Sequence, residues 1–251
     1  MPPTKTNNTK APPAATGVRA LVFDVFGTVV DWRTPVIEAV TAAAQETGAE
    51  GDWSVLGRQF ADDWKAAYRP AMERVNEGAP WINVDAIMRQ RLTEIAGKYG
   101  LDGLSAAQRD ALNEVWSLAR PWSDSVSGLS KLREKYILST LSNCTFRWMV
   151  AMAKAGGLPF DAIMTSEQAG RYKPAPEVYE MAITLMGGDA SGLMMVACHN
   201  YDLVAAQSHG MKTAFLPRQE NGPGQTTDQE PEGAWDVVAT DIEDLAVRLG
   251  C

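Results

Sequence analysis

Asp24, Lys173 and Asp202 are the residues of this 251-residue chain whose types and settings best suit covalent chemistry. Asp24 ends a short apolar run, Ala-Leu-Val-Phe, and is followed by Phe26, Gly27 and Thr28. Ser142 and Asn143 end a second run, Arg171, Tyr172 and Lys173 follow a third, and His199, Asn200 and Asp202 follow a fourth. A carboxylate beside a lysine can serve as a nucleophile, because the cation holds it ionised and aims it. The three cysteines, Cys144, Cys198 and Cys251, are odd in number and widely spaced. They offer neither a disulfide framework nor a Cys-x-x-Cys metal site, and they fit a reducing cytoplasm.

These residues need elements that bring them to one face. The first half of ALVFDVFGTVVDW (20–32) is a β-branched and aromatic run of the kind that forms a buried parallel strand. Similar runs recur at YILSTLS (136–142), FDAIMTS (160–166), LMMVAC (193–198) and KTAFLP (212–217), with a weaker one at WDVVAT (235–240). Between the later runs, PEVYEMAITLMG and DLVAAQSHG have helical character. That alternation predicts an α/β fold with a doubly wound, Rossmann-like parallel sheet. Ligands of such sheets bind outside the carboxyl ends of the strands, where the acid, the hydroxyl and amide, the lysine and the second acid fall.

One interval breaks the rhythm. From 34 to 120 no strand candidate occurs; four helical stretches do, with stops at Gly48, Gly78 and Gly100. The expected organisation is a core of 18–33 and 121–251 interrupted by a helical domain, 34–120. Residues 1–17 read as a disordered tail with no apolar segment of a secretory signal. The polar, Gly- and Pro-rich stretch 219–233 reads as a surface loop.

Lys and Arg total 23 against 31 Asp and Glu, a formal charge of -8. That weighs against nucleic acid, whose binders displace counterions with a basic face, and against a polybasic membrane anchor. No apolar run approaches the ~20 residues of a membrane span.

The order of motifs resembles the haloacid dehalogenase superfamily. It runs Asp24-Val25-Phe26-Gly27-Thr28, Ser142-Asn143, Lys173-Pro174 and a last motif ending in Asp202. The resemblance implies a nucleophilic aspartate on a Rossmann-like core, with a helical cap inserted after the first strand. Phosphatases of that superfamily carry a second Asp two residues after the nucleophile and an Mg²⁺-binding Asp four residues before the last acid. Here those positions are Phe26 and Cys198. A halide leaves without the proton that an alkoxide needs, and a neutral thiol is a poor ligand for a hard cation.

The pattern therefore looks like the type II (S)-2-haloacid dehalogenases, which use no metal or other cofactor. The implied substrate is a short halogenated carboxylate, turned over through an aspartyl ester. Asp24, Lys173, Asp202, Ser142, Asn143 and Thr28 are the implied catalytic set. Phe26, Lys65, Tyr68, Arg69, Tyr179, His199 and Asn200 are the implied substrate contacts. Lys173 and Tyr179 recur as KPAPEVY, and Asp63-Trp64-Lys65-Ala66-Ala67-Tyr68 resembles the cap segment that delivers a cation. The family usually has Arg after that Trp, and Lys cannot form Arg's bidentate fork, so Arg69 is the substitute considered. Ala197 and His199 stand where better-known relatives carry Ser and Asn. Asp202 is the expected base for ester hydrolysis, with His199 its rival. A homodimer is among the expected assemblies. Three other readings remain open: a phosphohydrolase with an atypical acid, a related hydrolase with another leaving group, and a non-enzymatic binding protein.

Overall fold

A computed structural model describes residues 15–251. Most of the tail, residues 1–14, lies outside the described residues. Its last part does not behave as free chain: Ala15 is buried against the core, and its carbonyl accepts from the Val18 N–H.

The strands, in chain order, are β1 (Ala20–Phe23), β2 (Val30–Asp31), β3 (Arg120–Pro121), β4 (Ile137–Thr140), β5 (Leu193–Ala197), β6 (Lys212–Phe215) and β7 (Val237–Val238). Five of them form a parallel central sheet in the order β4-β1-β5-β6-β7. The other two, β2 and β3, pair as a separate antiparallel ribbon. The sheet is buried on both faces, which is why its strands read as continuous apolar runs. Along β1, Leu21 and Phe23 enter one apolar cluster, and Ala20 and Val22 enter the other. β1 sits between β4 and β5. Chain order therefore reverses at β1, and the crevice beyond its carboxyl end is the place where such sheets bind ligands.

The run 160–166, expected to be a strand, is not one. It lies beside β4 through isolated bridges only. A few backbone bonds remain, such as Asp161 N to Leu138 O and Ser166 N to Ser142 O, but side chains take other ladder places: Asp161 Oδ2 accepts from Leu138 N, while Thr140 Oγ1 donates to Met164 O and accepts from Met164 N.

Between the ribbon strands every regular element is helical: α1 (Arg33–Thr47), α2 (Trp53–Ala67), α3 (Arg69–Asn76), α4 (Val84–Ala96), α5 (Ala106–Asn113) and two short 3-10 turns. Side chains of Asp52 and Asn83 cap α2 and α4, and Ser105 with Gln108 forms a capping box on α5. The sequence stretch from Ser54 to Gly78 reads as one helix, yet the chain breaks at Tyr68. Pro70 supplies the reason, since it has no N–H to give the Ala66 carbonyl, its ring crowds that carbonyl, and it is welcome in a new first turn. The break turns Tyr68 and Arg69 toward the core domain.

Aromatic rings fasten this insert to the core. Trp116 stacks on Trp32 at 5.7 Å between centroids and meets Trp64 edge-on at 5.2 Å and Phe26 at 6.3 Å. The remaining helices, α6 (Ser125–Arg133), α7 (Phe146–Gly156), α8 (Ser166–Ala169), α9 (Pro176–Leu185), α10 (Asn200–Ser208) and α11 (Ile242–Arg248), belong to the sheet domain. Among the described residues no helix is long and apolar enough to cross a membrane.

Candidate active site

β1 delivers Asp24 to the floor of a cavity of about 360 Å³ at the carboxyl end of the sheet. Its backbone N–H still donates to Val196 O, so the carboxylate is fixed at the last rung of the ladder. Both oxygens are held. Lys173 Nζ donates to Oδ1 at 2.8 Å, and Thr28 Oγ1 donates to Oδ2 at 2.8 Å. Thr28 in turn accepts from the Cys198 N–H at 3.0 Å, tying the first motif to the fourth. Asn143 clamps the backbone of Lys173, accepting from its N–H at 2.8 Å and donating to its carbonyl at 3.2 Å.

Lys173 also donates to Asp202 Oδ2 at 2.5 Å, and Tyr179 Oη donates to Asp202 Oδ1 at 2.6 Å. Burial opposes ionisation of Asp24, and the Lys173 ammonium with His199 outweighs it, so its carboxyl lies below the usual carboxylate range. Burial pushes Asp202 the other way, and the Asp24 charge adds to that push against Lys173. Burial opposes charge on Lys173 as well, yet Asp202 and Asp24 hold the ammonium above the ordinary lysine range.

His199 closes the other side of Asp24. Its Nδ1 lies 3.0 Å from Asp24 Oδ2, and its Nε2 lies 2.7 Å from Glu220 Oε1. Ionised carboxylates only accept, so the imidazole between two of them carries both protons. Burial works against that charge, and Cys198, Glu220 and the hydrogen bond to Asp24 outweigh it, raising the His199 pKa well above its ordinary value. Glu220 Oε2 also accepts from Trp32 Nε1 at 2.6 Å and lies 3.8 Å from Lys65 Nζ. Burial disfavours its charge too, but Lys65 and His199 bring its pKa down to about 2.

Asp24, Cys198 and His199 place a carboxylate oxygen, a sulfur and a ring nitrogen within 4.8 Å of one another, a metal-like grouping. The Lys173 ammonium already supplies the positive charge beside that carboxylate, and the imidazole is engaged by Glu220.

A family model for haloacid dehalogenase-like hydrolases matches residues 18–210. The chain belongs to the haloacid dehalogenase-like hydrolases. It is 29% identical over 210 residues to (S)-2-haloacid dehalogenase 4A of Burkholderia cepacia, over 82% of this chain and 86% of that one. It is 40% identical to a crystallised L-2-haloacid dehalogenase, with a TM-score of 0.86 over 93% of this chain and 100% of the other. A defluorinating L-2-haloacid dehalogenase is 39% identical, with a TM-score of 0.89 over 95% and 98%.

In this haloacid dehalogenase-like hydrolase, ten of the residues singled out from the sequence gather on one cavity or directly behind it. Asp24, Phe26, Lys65, Tyr68, Arg69, Ser142, Asn143, Lys173 and His199 line it, and Thr28 supports Asp24 from behind. Three do not reach it. Asp202, fully buried, faces Lys173 and Tyr179. Tyr179, expected to contact substrate, spends its hydroxyl on Asp202. Asn200, also expected to contact substrate, turns to the loop after β6, bonding Asp228, the Glu230 carbonyl and Trp235.

The surface-loop reading of 219–233 is corrected at its start. Glu220 is only 7% exposed and lines the cavity. Arg218, paired with Asp124 and donating to Thr28 O, pins the chain just before it. No motif announces Glu220, since one acid in a polar stretch has no periodicity to betray burial. Val84, Met88, Trp116 and Trp148 supply the apolar wall, and in sequence they read as ordinary core.

Proposed function

We propose that this hydrolase removes halide from short 2-haloalkanoic acids, haloacetates and (S)-2-haloacids, giving 2-hydroxy acids through an ester on Asp24. The observation that carries the reading is an ionised, lysine-held carboxylate on an aromatic-walled cavity, with Phe26 where a phosphatase-like site would keep its proton donor. Asp24 attacks the halogen-bearing carbon, and the halide leaves with the bonding pair. An alkoxide leaving group would need a proton, and Phe26 has none to give. The cavity is small enough for a short acid, and it carries Lys65 inside and Arg69 at its exposed side for the departing halide and the carboxylate. Relatives named as haloacid dehalogenases agree with this reading.

Halide release from chloroacetate and from each enantiomer of 2-chloropropionate tests it. One displacement at carbon followed by hydrolysis at the Asp24 carbonyl inverts the centre once, so (S)-2-chloropropionate is expected to yield (R)-lactate. Activity is expected to be unchanged in EDTA, because Phe26 and Cys198 replace the carboxylates that a metal-dependent phosphatase site would need. Hydrolysis of phosphate esters stimulated by Mg²⁺, without halide release, would overturn the reading. Fluoroacetate belongs in the substrate panel, because one similar protein is a defluorinating enzyme.

The two cap cations divide the work. Lys65 lies 4.4 Å from the Trp32 ring centroid and near Glu220, so its charge is partly balanced inside the cavity. Arg69 makes no ion pair among the described residues and lies at the cavity's exposed side. Its planar fork suits a carboxylate. Arg69→Ala is expected to raise KM about tenfold or more, with kcat little changed, whereas Lys65→Ala lowers kcat about tenfold, ~1.4 kcal/mol of barrier. Steady-state kinetics on chloroacetate separate the two, and unchanged constants in both variants would sink the assignment.

A further inference from the structure

We propose that His199, oriented by Glu220, is the base that turns water onto the Asp24 ester, with Glu220 its positioning residue. This rests on the reading of Asp24 as nucleophile. It reverses the sequence-based expectation that Asp202 does this work, and the geometry carries the reversal. Asp202 is fully buried behind Lys173, and each of its oxygens is already bonded, at 2.5 and 2.6 Å. It has no exposed surface and does not line the cavity where a water would attack the ester. His199 lines the cavity, beside Asp24.

The two oxygens of Asp24 have different neighbours, and that sets their roles. Oδ1 faces the Lys173 ammonium, which suits the oxygen that becomes negative in a tetrahedral intermediate. Oδ2 accepts from Thr28 and faces His199 Nδ1, the group placed to protonate a departing oxygen, which assigns Oδ2 as the attacking oxygen and later the leaving one, with Thr28 giving way on attack. Alkylation forms the bond from Oδ2 to carbon and breaks the carbon–halogen bond. It also removes one of the two negative charges that keep the imidazole doubly protonated, and the Nδ1 proton passes to solvent. Glu220 holds the remaining proton on Nε2, which leaves the Nδ1 lone pair directed at the ester. Nδ1 takes a proton from water as the water oxygen bonds to Cγ. The same proton goes to Oδ2 as the Cγ–Oδ2 bond breaks and the 2-hydroxy acid departs. The acid proton left on Asp24 moves to Nδ1 and restores the starting pair. One proton and one halide are released per turnover.

The first motif makes room for this arrangement. Gly27 has φ +84°, and a Cβ there would collide with Glu220 Oε2, so any larger residue would push the carboxylate off its seat. Trp32, where the core chain leaves for the insert, and Lys65 on the insert both lie against the same oxygen. Glu220 is thus fixed from both domains, as a group that must orient an imidazole needs to be.

The test follows the intermediate. In Glu220→Gln, rapid mixing with chloroacetate is expected to show one equivalent of chloride released at nearly the wild-type rate. Steady turnover then falls about a hundredfold or more, within the range of general-base contributions. Mass spectrometry shows the Asp24 peptide heavier by a carboxymethyl group. His199→Asn behaves alike, and Glu220→Asp regains part of the turnover. A merely structural role would not let the first equivalent pass and hold the second step. Wild-type turnover in Glu220→Gln, loss of the first equivalent in both Glu220 variants, or adduct accumulating in Asp202→Asn but not in His199→Asn would each overturn the proposal. Absence of halide release from the wild-type enzyme would instead overturn the haloacid reading beneath it.

Discussion

Asp24→Asn is expected to fold and to lose turnover by about 10⁴-fold or more, the scale on which removing an enzyme's nucleophile acts. The amide keeps the shape, its one oxygen can still accept from Lys173, and its NH₂ can donate toward Thr28 Oγ1 instead of accepting from it, so the packing around β1 survives. What it lacks is the ionised oxygen that the proposed attack on carbon requires. Halide release measures the loss, and a thermal melt confirms that the variant folds. Asp24→Ala guards against slow deamidation of the asparagine. If Asp24→Asn and Asp24→Ala both still released halide at a tenth of the wild-type rate, Asp24 would be removed from the chemistry.

Lys173→Met has the second large effect, on stability as well as rate. Lys173 is 4% exposed and stands between Asp24, 5% exposed, and Asp202, 0% exposed. Taking away one partner of a buried ion pair costs about 3–5 kcal/mol, and here two carboxylates would be left facing each other. In the wild-type protein the lowered pKa of Asp24 contributes stability above the ordinary carboxylate range, and this is lost as pH falls through the lowered value. Without the cation, burial dominates and raises both carboxyl groups above their unfolded values. The variant is then least destabilised in acid and loses stability as pH rises through those values. Urea unfolding at pH 5 and pH 8 checks the sign: the deficit relative to wild type is expected to be larger at pH 8. An equal deficit at both would mean that Lys173 acts by packing its stem rather than by its charge.

Legibility of the sequence followed the physics of each element. Strands buried on both faces read plainly, because every position is apolar and the run stops at a polar strand end; β1 and β5 are such cases. Segment 160–166 looked the same, but Asp161 and Thr140 replace part of the backbone pairing with side-chain bonds. Residue composition does not reveal that exchange. The strand-end residues Asp24, Ser142, Asn143 and His199 were legible because a parallel sheet delivers them to one edge whatever the loops do. Tyr179 and Asn200 followed the same motif logic but point elsewhere, since helix rotation, not spacing, decides which face a side chain takes. Glu220 was not legible at all. Its burial depends on Arg218 binding Asp124, on Gly27 having no side chain, on Trp32 reaching it, and on Lys65 coming across from the insert. These are long-range coincidences with no local signature.

The central claim is that Asp24 forms the ester, and oxygen transfer tests it most directly. With enzyme in excess over (S)-2-chloropropionate in H₂¹⁸O, the first turnover takes its product oxygen from Asp24, and water replaces that oxygen on the protein. Unlabelled lactate and one ¹⁸O in the peptide that contains Asp24 are the expected result. Labelled lactate from an enzyme whose Asp24 peptide stays unlabelled would show that water attacks the substrate carbon itself, and would contradict ester formation.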